Sequence, residues 1–333
     1  MISLFTIFFL AIFFVIKFEK IANNINLYDY PDKVRKFQKE KVSLIGGFLF
    51  IFCFNIFIIL NYQKLIDFIN FPNLLMLESF REIFLFQFVI ISIFLIGLYD
   101  DKYNLKAIIK ASFLIILISF FIFFEADSQI QEIRTALFNE IIILGNSSII
   151  FTVLCFFSLI ISLNMFDGFN GQSFINFFLI SIFILTKGYF NDIAYLIIFL
   201  LLIFGYLNLK NKVYLGDNGV HFLGFLFSYL IVKTYNYDKS INAEEIVIIL
   251  LVPIMDSIRL FFVRIYKGQN PFNPDTIHIH HIISKKCGAK NVFPIMLLML
   301  SLPYFLIFIK VDYFFILSTQ VLMYSFFLLK SKI

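Results

Sequence analysis

Histidines are concentrated in one segment of this chain, residues 270–281. Three of the four histidines in the sequence, His278, His280 and His281, lie there, and Asp275 precedes the first by three residues. Two prolines restrict the backbone on the approach to them. Imidazoles can bind a metal or donate hydrogen bonds to phosphate oxygens. A zinc site has weak support because no cysteine or distant histidine completes a tetrahedral set of ligands, and a solvated histidine-rich loop is a further alternative.

A pair of adjacent carboxylates, Asp100 and Asp101, directly follows an apolar run. Two carboxylates this close repel each other unless a lysine or a cation such as Mg²⁺ offsets their charge. The simpler alternative is structural, with Asp101 or Asn104 capping the helix that follows. The pair is therefore a candidate for catalysis beside a cation, and capping is the competing interpretation.

Two glycine-containing turns carry further carboxylates. Residues 164–171 read Asn-Met-Phe-Asp-Gly-Phe-Asn-Gly, and residues 214–221 read Tyr-Leu-Gly-Asp-Asn-Gly-Val-His. Glycine allows close approach of the backbone to a ligand, and Asp217 at a helix start lies beside N–H groups that suit phosphate. Asp217 could also bind Mg²⁺, which prefers oxygen ligands. A plain turn and an N-cap are the alternatives, and His221 is expected to be an interior residue with satisfied hydrogen bonds.

A basic segment precedes the second apolar run, which begins near Gly46 and Gly47. Arg35 and Lys36 in this segment could hold a phosphate, because the arginine side chain offers a bidentate fork of donors. The two glycines would permit close backbone contact. An ordinary basic loop that sets the membrane topology is the alternative.

Taken together, these side chains suit phosphoryl transfer from a nucleotide. In such a reaction a divalent metal offsets phosphate charge, cations bind phosphate oxygens, and the protein orients the nucleophile. Asp256, inside a later apolar run, is expected either to pair with Arg259 or to point into the same polar site. Each motif is weak alone, so the hypothesis requires that the fold bring them to one place.

The elements that must position these residues are apolar helices. The chain is 61% hydrophobic and only 15% charged, against about 25% charged residues in soluble domains. Its apolar runs are continuous and approach the ~20 residues that span a bilayer, whereas a β-barrel would require alternation. We therefore predict an all-α polytopic membrane protein, one domain over residues 1–333, with eleven spans or ten. The eleven predicted spans are 2–16, 43–60, 84–99, 107–124, 149–163, 172–186, 193–207, 219–235, 246–264, 293–309 and 312–329.

The distribution of basic residues predicts the orientation. With the N-terminus outside, few of the 27 Lys and Arg residues fall on the outer side, which follows the positive-inside rule. Those on the outer side are Lys64, Arg81, Arg134, Lys187, Lys233, Lys239 and Lys310. All the polar clusters then face the cytoplasm, and residues 125–148 form an outer loop that could contain an interfacial helix.

Other functional classes are less compatible with the sequence. A transporter or flippase is expected to carry ionisable residues deep in its spans and polar groups facing both sides, whereas here the polar clusters lie on one side. The net charge of +5 reflects membrane topology and does not indicate nucleic-acid binding. Cys53, Cys155 and Cys287 form neither a zinc motif nor a disulfide framework.

The clusters, in this order, resemble the polyprenyl-phosphate N-acetylhexosamine-1-phosphate transferase superfamily, which includes the MraY translocase and the WecA-type enzymes. The resemblance covers about residues 20–290, and the histidine segment is similar to the WecA-type branch. The matching motifs are Asp100-Asp101, Asn164-x-x-Asp167-Gly168, Gly216-Asp217-x-Gly219 and the Pro-Phe-x-Pro-Asp-x-x-His-Ile-His-His run that ends at His281.

The resemblance implies a reaction and its cofactor. A polyprenyl phosphate, expected to be undecaprenyl phosphate, attacks the β-phosphate of a UDP-N-acetylhexosamine; UMP leaves and a polyprenyl-diphospho-sugar forms. Mg²⁺ or Mn²⁺ is expected, as is a bacterial inner membrane with the active site facing the cytoplasm, and a homodimer is compatible with the resemblance. The product would begin a surface glycan such as O-antigen, capsule, teichoic acid or cell wall.

The resemblance also implies roles for individual residues. Asp100, Asp101 and Asp167 are expected to be catalytic, and Asp217, Asn164 and Asp167 to bind the metal. The expected substrate-binding residues are Arg35, Lys36, Asn164, Asn170, Asp275, His278, His280 and His281. A phosphate monoester already titrates near pH ~6, so Asp100 is expected to orient the lipid phosphate or accept its proton without being an obligatory base.

The sequence departs from the family pattern at several positions. Asn170 stands where a second aspartate is usual, Gln38 where a histidine is usual, and Val220 where a serine is common. Asn170 can still bind a metal through its amide oxygen but removes one negative charge. These departures bear on metal affinity and on the choice of UDP-sugar, for which GlcNAc is the default and a 6-deoxy-HexNAc the alternative.

Overall fold

The computed structural model describes residues 2–31, 38, 40–61, 75, 77, 79–269 and 275–329. Arg35 and Lys36 lie outside the described residues, as do the prolines of the histidine segment. The regular structure in the described part of the chain is almost all α-helical, which confirms the all-α prediction. Twelve helices are formed within it: α1 Ile2–Ile25, α2 Gly46–Leu60, α3 Phe80–Tyr103, α4 Ala107–Phe124, α5 Ser148–Phe166, α6 Gln172–Lys187, α7 Asn191–Leu209, α8 Gly216–Tyr237, α9 Ala243–Tyr266, α10 Ile279–Cys287, α11 Val292–Phe308 and α12 Tyr313–Leu328.

Each of the eleven predicted spans coincides with a helix. Six stretches within the described residues are long and apolar enough to cross a membrane, and α2, α6 and α12 are shorter apolar helices. The two remaining predictions correspond to α1 and α8, which are also long helices. The chain is therefore a multi-pass membrane protein. The additional short helix α10 carries the histidines and was not predicted.

Two antiparallel hairpins join the helices. In the first, β1 Tyr28–Asp29 pairs with β2 Val42–Ser43; in the second, β3 Glu132–Thr135 pairs with β4 Glu140–Ile143. The second hairpin corrects the expectation of an interfacial helix in residues 125–148. Three consecutive isoleucines make up most of β4, and β-branched residues favour strands because their χ1 rotamers are restricted in helices.

Helix α8 lies at the centre of the fold and packs against α2, α3, α5 and α6. Its contact with α2 is backbone to backbone, since a Cβ on Gly47 would lie 2.6 Å from the Cα of Gly219. A side chain at either glycine would force the two helices apart. The sequence prediction that the glycine pair permits close backbone approach is therefore confirmed at Gly47.

The two ends of α8 are fixed by different groups. At its C-terminal end, the guanidinium of Arg134 from β3 lies 3.8 Å from the ring centroid of Tyr235 and donates to the carbonyls of Tyr235 and Ile241. The buried ion pair Lys233–Glu125, at 2.8 Å, joins the same end of α8 to the end of α4. The N-terminal end of α8 forms the polar site.

The last four helices form a second apolar cluster. Ile279 and Ile283 of α10 pack with Met296 and Met299 of α11 and with Tyr324 of α12. The amphipathic α10 is thereby held against the bundle by its apolar face. The consequence is that the histidines at its start have a defined position.

Candidate functional site

A cavity of about 890 Å³ is formed where α3 and α5 end and where α8 and α10 begin. Its size suits a small-molecule substrate. All four described polar motifs of the sequence contribute to its lining, so the fold brings them together. The lining includes Asp100, Asp101, Asn164, Asp167, Asn170, Asp217, Asp275, His278, His280 and His281.

Lys110, in the first turn of α4, bridges two of the carboxylates. Its ammonium donates to Asp100 Oδ2 at 2.6 Å and to Asp217 Oδ2 at 2.7 Å. The remaining oxygen of Asp100 accepts from the backbone N–H of Leu105 at 2.7 Å. A single lysine therefore holds together aspartates from two distant motifs and offsets part of their charge.

Asp101 has a different environment from Asp100. Its carboxylate accepts from the backbone N–H groups of Asp217 and Asn218, at 2.9 and 3.0 Å, and from the side-chain amide of Asn218. It thus caps the N-terminus of α8, where unpaired N–H groups favour an anion. Capping by Asp101 was the structural alternative in the sequence, but the helix capped is α8 and not the following helix.

Asp167 and Asn164 extend the site along the end of α5. The hydroxyl of Ser173 donates to Asp167, and the side-chain amide of Asn164 donates to Asp217 Oδ1 at 2.9 Å. Burial raises the pKa of Asp167 to about 6, and the charge of Asp217 adds to that rise while the Ser173 hydrogen bond opposes it. Asp167 is therefore ionised near neutral pH and protonated in mild acid.

Two carboxylates, Asp256 and Asp275, fix the histidine segment through hydrogen bonds. Asp256 Oδ2 lies 3.0 Å from His278 Nδ1, and Asp256 Oδ1 accepts from Arg259 at 2.7 Å. Of the two sequence alternatives for Asp256, the pairing with Arg259 is confirmed, whereas Asp256 does not itself line the cavity and meets the polar site only through His278. Before the histidines, Asp275 accepts from Arg264 at 2.7 Å. Burial is the largest single influence on the pKa of Asp275 and would raise it, but the hydrogen bonds from Arg264 and from the Ile277 N–H, together with the charge of Arg264, lower the pKa overall.

His280 packs directly on the second motif. A Cβ on Gly168 would lie 2.4 Å from two ring atoms of His280, so glycine is required for this contact. Burial lowers the pKa of His280 well below its usual value, and burial together with His278 lowers that of His281 to about 4. Both imidazoles are therefore neutral near pH 7.

One wall of the cavity consists of uncharged polar groups and one carboxylate. Gln38 donates to Asp29 at 2.6 Å, and Asn170 donates to Asn211 at 2.6 Å. Tyr214 lies between them, with its hydroxyl 3.4 Å from the Gln38 side-chain oxygen. Asn170 and Gln38, two departures from the family pattern, therefore belong to the same wall.

Several residues of the site were not predicted from the sequence. Lys110, Tyr214, Arg264 and Asn208 all line the cavity, and Asn208 joins two loops by accepting from Gly171 and donating to Val213. Lys110 could have been found, because a lone lysine inside an apolar span is a functional candidate. Asn208 and Tyr214 carry no comparable signal.

The interior position of His221 agrees with the prediction, but the expected hydrogen bonds are not formed. Neither ring nitrogen has a partner among the described residues. The prediction of a satisfied interior histidine is therefore wrong in that respect. His221 does not line the cavity described above.

The carboxylates of Asp100 and Asp217, which meet at the N-terminal end of α8, suit a divalent cation. Among the described residues, no three His, Cys, Asp or Glu side chains form a metal site by themselves. Mg²⁺ does not need such a set, because it is usually bound by one or two carboxylates together with phosphates and water. Lys110 shows that a positive charge is stable between Asp100 and Asp217. The residues present therefore fit Mg²⁺ bound jointly with a phosphate.

Known proteins are similar to this chain over most of its length. The profile of glycosyl transferase family 4 matches residues 83–235. A Yersinia pestis protein named undecaprenyl-phosphate alpha-N-acetylglucosaminyl 1-phosphate transferase is 27% identical over 294 residues, covering 84% of this chain and 75% of that protein. Proteins of the same name from Haemophilus influenzae and Escherichia coli K12 are 24% and 23% identical, each covering 85% of this chain and 79% and 76% of their own length.

Proposed function

Because the chain belongs to the polyprenyl-phosphate N-acetylhexosamine-1-phosphate transferase superfamily, in its WecA-like branch, we propose that it transfers N-acetylhexosamine 1-phosphate from a UDP-sugar to undecaprenyl phosphate. An oxygen of the lipid phosphate forms a bond to the β-phosphorus of the UDP-sugar. The bond between the α- and β-phosphates breaks, UMP leaves, and the lipid-linked diphospho-sugar remains. UDP-GlcNAc is the first donor to test, since the relatives are named for N-acetylglucosamine.

The observation that carries the proposal is the convergence of the polar motifs in one cavity. Asp100, Asp167, Asp217 and the histidines come from separate helices and line the same space. A reaction between two phosphates needs cations, carboxylates and hydrogen-bond donors around one point. If each motif served only as a helix cap or a turn, its polar side chains would not need to line the same cavity.

Asp217, Asp167 and Asn164 would hold the divalent metal, Mg²⁺ with Mn²⁺ as a substitute. When bound, the metal would offset the charge of the UDP-sugar diphosphate and stabilise the charge that develops on the departing UMP. The hydrogen bond from Asn164 to Asp217 orients the carboxylate at the start of α8. Asp101 supports this arrangement by capping α8, so its contribution is to position Asp217.

Asp100 and Lys110 would orient the lipid phosphate. Lys110 brings a positive charge to the cavity, while Asp100 can accept a hydrogen bond from a protonated phosphate. A strong base is unnecessary because a phosphate monoester is largely ionised at neutral pH. An apolar strip beside Lys110, made by Ala107 and Ala111 of α4 and Ile161 of α5, suits the first isoprene units.

The donor nucleotide-sugar would bind between the histidine segment and the polar wall. Neutral imidazoles at His280 and His281 can donate hydrogen bonds to phosphate oxygens. The wall of Gln38, Tyr214 and Asn170 offers amides and a hydroxyl to a base or sugar. The choice of UDP-sugar is assigned to this wall, which contains two departures from the family pattern.

Release of UMP tests the proposal. Purified protein in detergent with undecaprenyl phosphate, Mg²⁺ and a panel of UDP-sugars is expected to release UMP with at least one N-acetylhexosamine donor, and only when the lipid is present. Asp217→Ala is the matched negative control. Absence of UMP with every UDP-sugar would reject the transferase proposal and leave a transporter, a flippase or a non-catalytic homologue.

A further inference from the structure

We infer that Tyr324, in the last helix, is a positioning residue for the histidine segment and acts through Asp256 on His278. The inference rests on the function proposed above and extends the site to α12, which contains none of the sequence motifs. It concerns the side of the cavity where the UDP-sugar is proposed to bind.

The hydroxyl of Tyr324 is engaged as both donor and acceptor. It donates to Asp256 Oδ1 at 2.8 Å and accepts from Arg259 Nε at 2.6 Å. Tyr324 is only 2% exposed and Asp256 only 1%. Water therefore cannot readily replace either hydrogen bond, and losing the hydroxyl leaves buried polar groups without a partner.

Asp256 transmits this arrangement to His278. Its Oδ1 also accepts from the backbone N–H of Ile279 at 3.2 Å, while its Oδ2 lies 3.0 Å from His278 Nδ1. A carboxylate oxygen can only accept, so Nδ1 of His278 carries the hydrogen. In the neutral ring Nε2 is then the acceptor, and the tautomer of a histidine that lines the cavity is fixed.

Arg259 fixes the backbone on the other side of the same histidine. It donates to the carbonyl of Ile277 at 2.7 Å as well as to Asp256. The residues before and after His278 are thus both held by one buried network, and Tyr324 is the member from α12. A loosened network would displace His278 but would leave Lys110, Asp100 and Asp217 in place.

Tyr324→Phe removes the hydroxyl and keeps the ring, which packs against the apolar cluster of α10 and α11. Tyr304→Phe is the matched control, because the buried Tyr304 hydroxyl has no hydrogen-bond partner among the described residues. Both variants delete one tyrosine hydroxyl from neighbouring C-terminal helices. Only Tyr324→Phe removes a hydroxyl that is hydrogen-bonded to the network around the histidine segment.

Steady-state kinetics of UMP release give the first readout. Tyr324→Phe is expected to lower kcat/KM for the UDP-sugar about three- to tenfold, with the KM for undecaprenyl phosphate unchanged. Tyr304→Phe is expected to stay within about twofold of wild type. Wild-type kinetics for Tyr324→Phe, or equal losses for both substrates with a lowered unfolding midpoint, would overturn the inference.

Imidazole NMR gives a readout that does not require turnover. The chain has only four histidines, so ¹⁵N-histidine labelling gives few ring signals, and His278→Gln assigns the one of interest. We expect an Nδ1-protonated ring for His278 that changes in Tyr324→Phe and not in Tyr304→Phe. If no UDP-sugar supports UMP release, the proposed function fails while this spectrum still decides the positioning role.

A second substitution covers the case in which Tyr324→Phe does not fold. Asp256→Asn keeps the shape of the side chain and removes the charge at the centre of the network. It is expected to change the His278 ring signal and to lower kcat/KM for the UDP-sugar more than for the lipid. An unchanged His278 tautomer in a folded Asp256→Asn protein would contradict the proposed route from Tyr324 to His278.

Discussion

At the scale of single residues, one lysine and one glycine make contacts that hold the site together. Lys110 supplies the ammonium between Asp100 and Asp217, and Gly168 supplies the space that His280 occupies. The two residues act in different ways, since the first contributes charge and the second contributes volume. Their substitutions should therefore fail for different reasons.

Lys110→Met is expected to lower kcat for UMP release by about a hundredfold or more, because a positive charge is removed from a site that we propose binds two phosphates. The neighbouring Lys106→Met is the control, since Lys106 is exposed and does not line the cavity. The assay compares both variants at equal amounts of folded protein. Near-normal turnover by Lys110→Met would show that the lysine only neutralises carboxylates.

Gly168→Ala is expected to lower kcat/KM at least tenfold, because the new Cβ would lie 2.4 Å from the His280 ring and would displace it. Gly188→Ala is an informative comparison, since Gly188 has open space around it. This substitution measures only the cost of placing alanine in a left-handed backbone conformation. Combining Gly168→Ala with His280→Ala makes room for the methyl group and should add little further loss. Full additivity of the two losses would contradict the contact.

At the scale of elements, the N-terminus of α8 is the organising feature of the site. Gly216 and Asp217 begin the helix, Asp101 caps it from α3, and the glycine contact with α2 sets its depth in the bundle. The adjacent aspartates of the sequence are thereby divided between two functions. Asp100 faces Lys110, whereas Asp101 stabilises a helix.

Asp101→Ala is expected to lower the free energy of unfolding by about 1–2 kcal/mol, because α8 loses its cap. Asp217→Ala is expected to abolish turnover with a smaller effect on stability, because Lys110 still forms its ion pair with Asp100. Thermal unfolding in detergent and UMP release should be measured on the same preparations. An Asp101→Ala protein with unchanged stability and no turnover would assign Asp101 directly to catalysis.

At the scale of the whole molecule, the helices separate two polar ends. The carboxylates and histidines lie at one end of α8, and the hairpin held by Arg134 lies at the other. The sequence-based topology predicts that the first end faces the cytoplasm. That assignment concerns the orientation of the entire bundle in the membrane.

Cysteine labelling can test the orientation. In a background without the native cysteines, Phe138→Cys on the hairpin should react with an impermeant maleimide in intact cells, because Phe138 is 74% exposed. Tyr103→Cys, at the site end of α3, should react only after permeabilisation. The reverse pattern would place the site outside and invert the predicted topology.

Binding of the proposed metal should depend on pH because the site is assembled from buried carboxylates. The pKa of Asp167 is raised to about 6, so the carboxylate is available above that pH and protons compete with the metal below it. The apparent affinity for Mn²⁺, followed by EPR without substrates, should fall by up to about tenfold per pH unit below pH 6. Asp167→Asn should bind weakly at every pH; an affinity of the unaltered protein that is constant down to pH 5 would exclude Asp167 as a ligand.

The sequence alone determined the type and position of the main helices and pointed to the chemistry that we propose. Continuous apolar runs can bury their backbone polar groups in a membrane only as helices, and each of the eleven predicted spans coincides with a helix. The hairpin formed by residues 132–143 was missed because a short run of isoleucines does not distinguish a strand from a helix. The aspartates and histidines were found because such residues are rare in an apolar chain.

Only the tertiary structure decided which of these residues act together. Adjacent aspartates look alike in the sequence, yet Asp100 meets Lys110 while Asp101 caps α8, because successive residues on a helix point in different directions. The pairing of Tyr324 with Asp256 and the packing of His280 on Gly168 join segments far apart in the chain. Contacts of this kind follow from how helices pack and leave no local pattern that a single sequence could show.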